Sequence, residues 1–178
     1  YDARIKALGL VTPSIAGAEL VKGTAFPVRV LFYIISGIFV SLNYLGLNVQ
    51  APAIPNPEKI SDKDTPANNG MREISTYYLP GKVGHHERWV NKLSTTSLAG
   101  VAALHIFDYA SELSKTPISV VVGKDAYSYE PARRFYDTLT GTKELLELDD
   151  TNHVDFYYKD EPADKAVEQL DTFFKKQV

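Results

Sequence analysis

Ile118-Ser-Val-Val-Val-Gly-Lys-Asp125 and Glu144-Leu-Leu-Glu-Leu-Asp-Asp-Thr-Asn-His153 decide how this chain is read. Each opens on an apolar run that reads as a buried strand, and each ends on a side chain with acid–base chemistry. Carboxyl ends of neighbouring strands are where an open α/β sheet collects its site. Aspartate before histidine is also the chain order of the last two members of a nucleophile–acid–base triad. The first member is not in this sequence. No Gly-x-Ser-x-Gly occurs, and with no cysteine a thiol nucleophile within these residues is excluded.

Working outward, Ile5-Lys-Ala-Leu-Gly-Leu-Val11, closed by Thr12-Pro13, reads as a third strand, apolar on both faces as a helix-covered parallel sheet requires. A helix is predicted after Asp125. It starts at Pro131, carries Ala132, Phe135, Tyr136 and Leu139 on one stripe, and stops by Gly141. A second begins at Pro162, with Ala163, Ala166, Val167, Leu170, Phe173 and Phe174 as its apolar stripe and Lys175-Lys176 where the helix dipole favours cations. Strands alternating with helices predict an α/β fold of parallel strands covered by helices.

A chain of 178 residues suits a single domain, and 44% hydrophobic with 23% charged residues is ordinary globular composition. A net charge of −3, with no lysine and arginine cluster interleaved with aromatics, argues against nucleic acid as a partner. Without cysteine there is neither a disulfide framework nor a thiolate metal site, and the compartment stays open. The sequence opens at Tyr1 and runs almost directly into a strand. It is expected to be the carboxyl-terminal part of a longer protein that needs its upstream half.

Between Thr12 and Thr116 the alternation is interrupted, so residues 14–110 are expected to form an insertion of cap helices and linker within one domain, 1–178. The segment Val30 to Leu47 is uncharged and meets the length of roughly 18 apolar residues expected of a bilayer span. Ser36, Gly37, Ser41, Asn43 and Gly46 within it, and its place between two strands of one sheet, favour a cap helix that lines a pocket. Ala51 to Gly70 reads as a mobile, proline-rich surface connection. Met71 to Tyr109 reads as amphipathic helix, with Leu98, Val101, Ala102, Ile106 and Tyr109 on one side.

An aspartate bonded to one imidazole nitrogen fixes the tautomer and stabilises the imidazolium formed when the other nitrogen takes a proton. Asp125 and His153 are placed for those roles; taken singly, they also read as a turn acid and a loop histidine. Asp149 and Asp150 share the histidine's own loop and read as turn residues, and Asp155 is a weaker rival acid. His85 and His86, beside Glu87, are adjacent, so their side chains diverge and no metal site is expected. His105 reads as a core histidine. Trp89, Tyr127 and Phe156 are candidates to line a substrate pocket; Tyr77 and Tyr78 are weaker ones, because aromatic residues in a helical insertion are more often core.

Lys115 to Asp125, Glu130-Pro-Ala-Arg-Arg-Phe-Tyr-Asp-Thr-Leu139, Lys143-Glu-Leu-Leu146 and Asn152-His-Val-Asp-Phe-Tyr157 together resemble the carboxyl-terminal end of bacterial α/β-hydrolases related to dienelactone hydrolases. Tyr1-Asp-Ala-Arg-Ile-Lys-Ala-Leu8 resembles the strand that follows that family's nucleophile-bearing helix. The likeness covers the chain except about Thr24 to Asn69. It implies Asp125 as triad acid, His153 as triad base, no cofactor, and hydrolysis of an ester, thioester or lactone by the intact protein. A non-catalytic relative that binds a small molecule or a partner is the alternative, and a protein anchored by residues 30–47 a third. On the first reading the natural protein encodes a Gly-x-Ser-x-Gly or Gly-x-Cys-x-Gly elbow shortly before Tyr1. Sequencing that region tests it, and absence of such a motif from the protein and its partners would sink the hydrolase reading.

Overall fold

A computed structural model describes residues 4–14 and 25–177. Its centre is a three-stranded parallel sheet, in the order β1 (Leu8–Val11), β4 (Ile118–Gly123), β5 (Lys143–Leu148). Leu8 pairs with Ile118, which pairs in turn with Lys143 on its other side; the β4–β5 register runs on to Gly123 and Leu148. β4 is buried along its whole length, because helices cover both of its faces. On one face Ile118 and Val120 pack with Phe135 of α4 (Tyr129–Thr138), with Leu139 just past its end and with Ala110. On the other, Val121 packs with Leu148, Phe156 and Ala166 beneath α5 (Asp160–Lys175). The α/β reading of the sequence is the observed fold.

Local details depart from it. α4 and α5 each begin two residues before the proline that was expected to open them, so Pro131 and Pro162 occupy the third helical position. The first four N–H groups of a helix have no intrahelical partner, so a residue without N–H costs nothing there. Val167 points to solvent at 65% exposure, whereas Ala166 and Phe173 carry the buried stripe. β1 starts only at Leu8, leaving Ile5 half exposed.

The segment between β1 and β4 contributes α1 (Phe26–Tyr44), an antiparallel ribbon of β2 (Gln50–Ala51) and β3 (Leu93–Ser94), α2 (Pro66–Tyr78) and α3 (Thr96–Ala103), followed by a 3₁₀ segment over Ile106–Lys115. The amphipathic run expected from Met71 to Tyr109 is broken after Tyr78 by Leu79-Pro80, since the residue before a proline is driven out of the helical region. Val101 and Tyr109 are exposed; the Leu98 and Ala102 side chains lie outside the described residues. His105 is not core. It precedes the 3₁₀ segment with its side chain 41% exposed, Nδ1 3.7 Å from Asp108 Oδ2. The connection after Ala51 is pinned where it was expected to be loose: Asn91 accepts from Ile54 N at 2.8 Å and donates to Ile54 O at 2.7 Å, and Ile54 is buried.

α1 is long and apolar enough to cross a bilayer, with a mean hydropathy of 1.6. It packs on α3 and turns Leu31, Ile34, Ile35 and Ile38 outward while Ser36 is buried. Yet β1 before it and β4 after it are hydrogen-bonded neighbours. A crossing by α1 would need a return crossing before β4, and no other helix among the described residues meets the length and hydropathy for one.

Gly123 closes β4 against the next loop. A Cβ there would lie 2.0 Å from Thr151 O, a backbone atom that cannot swing aside. Gly123→Ala should therefore destabilise the protein by about 1–3 kcal/mol, the range for an overpacked core site, read as a lower urea midpoint at unchanged slope.

Candidate active site

The three parallel strands end side by side, and the residues that follow them meet. Lys124 N donates to Leu148 O at 2.9 Å and Asp125 N to Thr151 O at 3.1 Å, which ties the loop after β4 to the loop after β5. The second loop turns at Asp150, whose φ of 50° is left-handed. It then locks reciprocally: Asn152 Oδ1 accepts from Val154 N and Asp155 N at 3.1 and 3.0 Å, while Asp155 Oδ2 accepts from Asn152 N at 3.1 Å. This is capping-box logic applied to the short 3₁₀ helix Val154–Tyr157. It also employs Asp155, whose other oxygen pairs with Lys159 Nζ at 2.9 Å, so that rival acid serves the turn.

His153 is buried. Its Nδ1 lies 2.9 Å from Thr12 Oγ1 and 3.0 Å from Ser128 Oγ, two buried hydroxyls that are 3.2 Å from each other. Its Nε2 lies 2.7 Å from the Tyr157 hydroxyl. Thr12 holds this place with φ at 42°, a left-handed conformation that is an outlier for a β-branched residue and costs on the order of 1–3 kcal/mol. Its own N–H extends the β1–β4 ladder to Val121 O at 2.7 Å.

The Asp125–His153 pairing expected from chain order is not made. The Asp125 side chain is exposed and forms no hydrogen bond or ion pair with a described residue; only its backbone N–H binds the histidine's loop. Three residues later the chain has turned inward, and Ser128 takes the place by Nδ1. Asp149, another of the acids weighed, pairs with Lys124 at 2.7 Å. Tyr127 does reach the site, its ring centroid 4.8 Å from that of His153 and its hydroxyl donating to Ser14 Oγ at 3.1 Å. Trp89 stands further off, at the end of an aromatic chain through Tyr78, Tyr77 and Tyr157 to His153. Phe156 is a correction: it is buried in the core with Val121, Leu148 and Ala166, because the 3₁₀ turn directs it under α5. His85 and His86 lie apart from the site, on a loop where each bonds locally to backbone.

Glu73, on α2, was not anticipated. Its carboxylate accepts the backbone N–H of Tyr127 at 3.0 Å and that of His153. Burial pushes its pKa up, against the lowering effect of those hydrogen bonds. Glu73 stands eighty residues from His153 and carries no sequence signal of this role. Burial also drives the His153 pKa down from 6.5 to about 4 and the Tyr157 hydroxyl up to about 12. At neutral pH the site thus holds an uncharged imidazole among uncharged hydroxyls.

No family model matches the sequence, and no curated protein matches it. Solved structures do. A hypothetical protein from Pseudomonas aeruginosa superposes on 99% of the chain with a TM-score of 0.78 and 21% identity, DcsB in complex with its substrate analogue with 0.75 and 17%, and the α/β hydrolase GrgF from Penicillium sp. sh18 with 0.71 and 17%. The chain has the α/β-hydrolase fold. It spans 55%, 58% and 57% of the lengths of those three chains.

Folded His153 binds fewer protons than unfolded histidine between pH 6.5 and about 4. Its contribution to stability is therefore complete above 6.5 and is lost as the pH falls toward 4. Urea unfolding should give a stability about 2 kcal/mol lower at pH 5 than at pH 7, relative to the same difference in His153→Asn, which lacks the titrating group.

Proposed function

We propose that this chain supplies the general base of a hydrolase acting on a carboxylic ester, thioester or lactone. The observation that carries the reading is a neutral, buried histidine just past the end of a parallel strand of an α/β-hydrolase fold, with one ring nitrogen held by hydroxyls. The nucleophile, a serine hydroxyl or cysteine thiol, belongs to residues outside this chain. As it attacks the carbonyl carbon, Nε2 of His153 takes its proton; as the carbonyl re-forms, the ester bond breaks and the imidazolium returns the proton to the leaving group. Water then repeats the sequence on the acyl-enzyme. The Tyr157 hydroxyl, now on Nε2, yields that position to the nucleophile.

On this reading Thr12 and Ser128 do for Nδ1 what a carboxylate does in the better-known triad: they fix the ring's orientation and accept its N–H. They do so without a full negative charge. Tyr127 and Trp89 are proposed to bound the substrate's side of the site. No cofactor enters the reaction.

The test is turnover of a small activated ester by the protein that carries these residues. His153→Ala should lose on the order of 10⁴-fold in kcat with the fold intact by circular dichroism. Ser128→Ala should lose about tenfold, a little over 1 kcal/mol, since Thr12 still holds the ring. Asp125→Asn should stay within about threefold, well under 1 kcal/mol of barrier. Parental kcat in His153→Ala would overturn the hydrolase reading; a loss in Asp125→Asn as deep as in His153→Ala would return the orienting role to that carboxylate.

A further inference from the structure

Both loops of the site are held from above by one helix. Gly70, Glu73 and Tyr77 recur at three- and four-residue spacing along α2 and so share a face. All three touch the site. Gly70 lets the Tyr127 ring close in, to where a Cβ would be 2.9 Å from Tyr127 Cδ2. Tyr77 packs edge-on against Tyr157 at 5.4 Å between centroids. Between them the two carboxylate oxygens of Glu73 divide: Oε2 accepts from Tyr127 N at 3.0 Å, in the loop after β4, and Oε1 accepts from His153 N, in the loop after β5.

We infer that Glu73 is a positioning residue, a strut from the insertion that sets the Ser128 loop and the His153 loop at the spacing their hydrogen bond needs. Both of its bonds are charge-assisted, the stronger class of hydrogen bond. Both partners are backbone groups of partly buried loops, so without Glu73 each N–H is left unpaired. Neither Thr12 nor Ser128 can supply that restraint, because they hold the ring and not the backbone that carries it. The insertion is then more than a cover. It completes the seat of the histidine, and anything that moves α2 moves His153.

The activity arm of the test rests on the hydrolase reading; a spectroscopic arm does not. Glu73→Gln keeps the size of the side chain but turns one acceptor into an amide donor facing an N–H. Arg72→Ala is the control: Arg72 ties the same helix to the carbonyls of Ser61 and Lys63, away from the site. With p-nitrophenyl acetate, Glu73→Gln should lower kcat tenfold or more with KM within threefold, while Arg72→Ala leaves kcat within twofold. The imidazole resonance of His153, assigned by its loss in His153→Ala, should titrate at higher pH in Glu73→Gln as water enters the loosened loops, and should be unmoved in Arg72→Ala. Glu73→Asp, one methylene shorter with its charge kept, should fall between parent and Glu73→Gln, and replaces it if the amide variant does not fold. Parental kcat and parental titration in the Glu73 variants would overturn the inference, as would Arg72→Ala reproducing both effects. If the parent turns over no ester while the imidazole still shifts, the hydrolase reading fails and the strut stands.

Discussion

The parallel pairing of β1, β4 and β5 is the constraint on which the site depends. Parallel strands end on the same edge of a sheet, so the chain leaves β1 at Thr12, β4 on the way to Ser128 and β5 on the way to His153 within one small volume. One residue from each exit completes a triangle of contacts between 2.9 and 3.2 Å. Gly123 permits it: the absence of a side chain there lets the carbonyl of Thr151 come close enough to bind Asp125 N, and the two loops lie against each other.

The triangle has an energetic logic. A buried imidazole is expensive to protonate, so burial keeps His153 neutral, and neutral hydroxyls satisfy its nitrogens without asking for a charge on the ring. Thr12 contributes its hydroxyl from a left-handed backbone, a conformation a β-branched residue adopts only when the surroundings over-determine it. Here the ladder bond to Val121 on its N–H and the bond to Nδ1 on its side chain fix it from both ends. Strain at Thr12 and desolvation at His153 are offset by the apolar packing of β4 between α4 and α5.

The segment between β1 and β4 is uneven in its relation to this centre. α1 turns Leu31, Ile34 and Ile38 away from the sheet, while α2 directs a face of Gly70, Glu73 and Tyr77 onto the strand ends. The aromatic chain from Trp89 through Tyr78, Tyr77 and Tyr157 runs from this segment to the histidine.

The strands at Ile118 and Glu144 and the two closing helices were legible in the sequence, because each is written in local periodicity. Helix starts slipped by two residues, since proline is compatible with any position of a first turn. The Met71 to Tyr109 region was misread as one run because Pro80 acts on the backbone and leaves the apolar spacing undisturbed. The partners of His153 were not legible at all. Thr12 lies 141 residues away and Glu73 80, and nothing in their neighbourhoods distinguishes them from an ordinary strand-end threonine or surface glutamate. Asp125 and Ser128 sit three residues apart on one turn, and which of them faces inward is settled by how the loop packs against Thr151 and α2. Local pattern determined the elements; only the register of three strands and the docking of one helix decided what holds His153, because those contacts join residues that are neighbours in space alone.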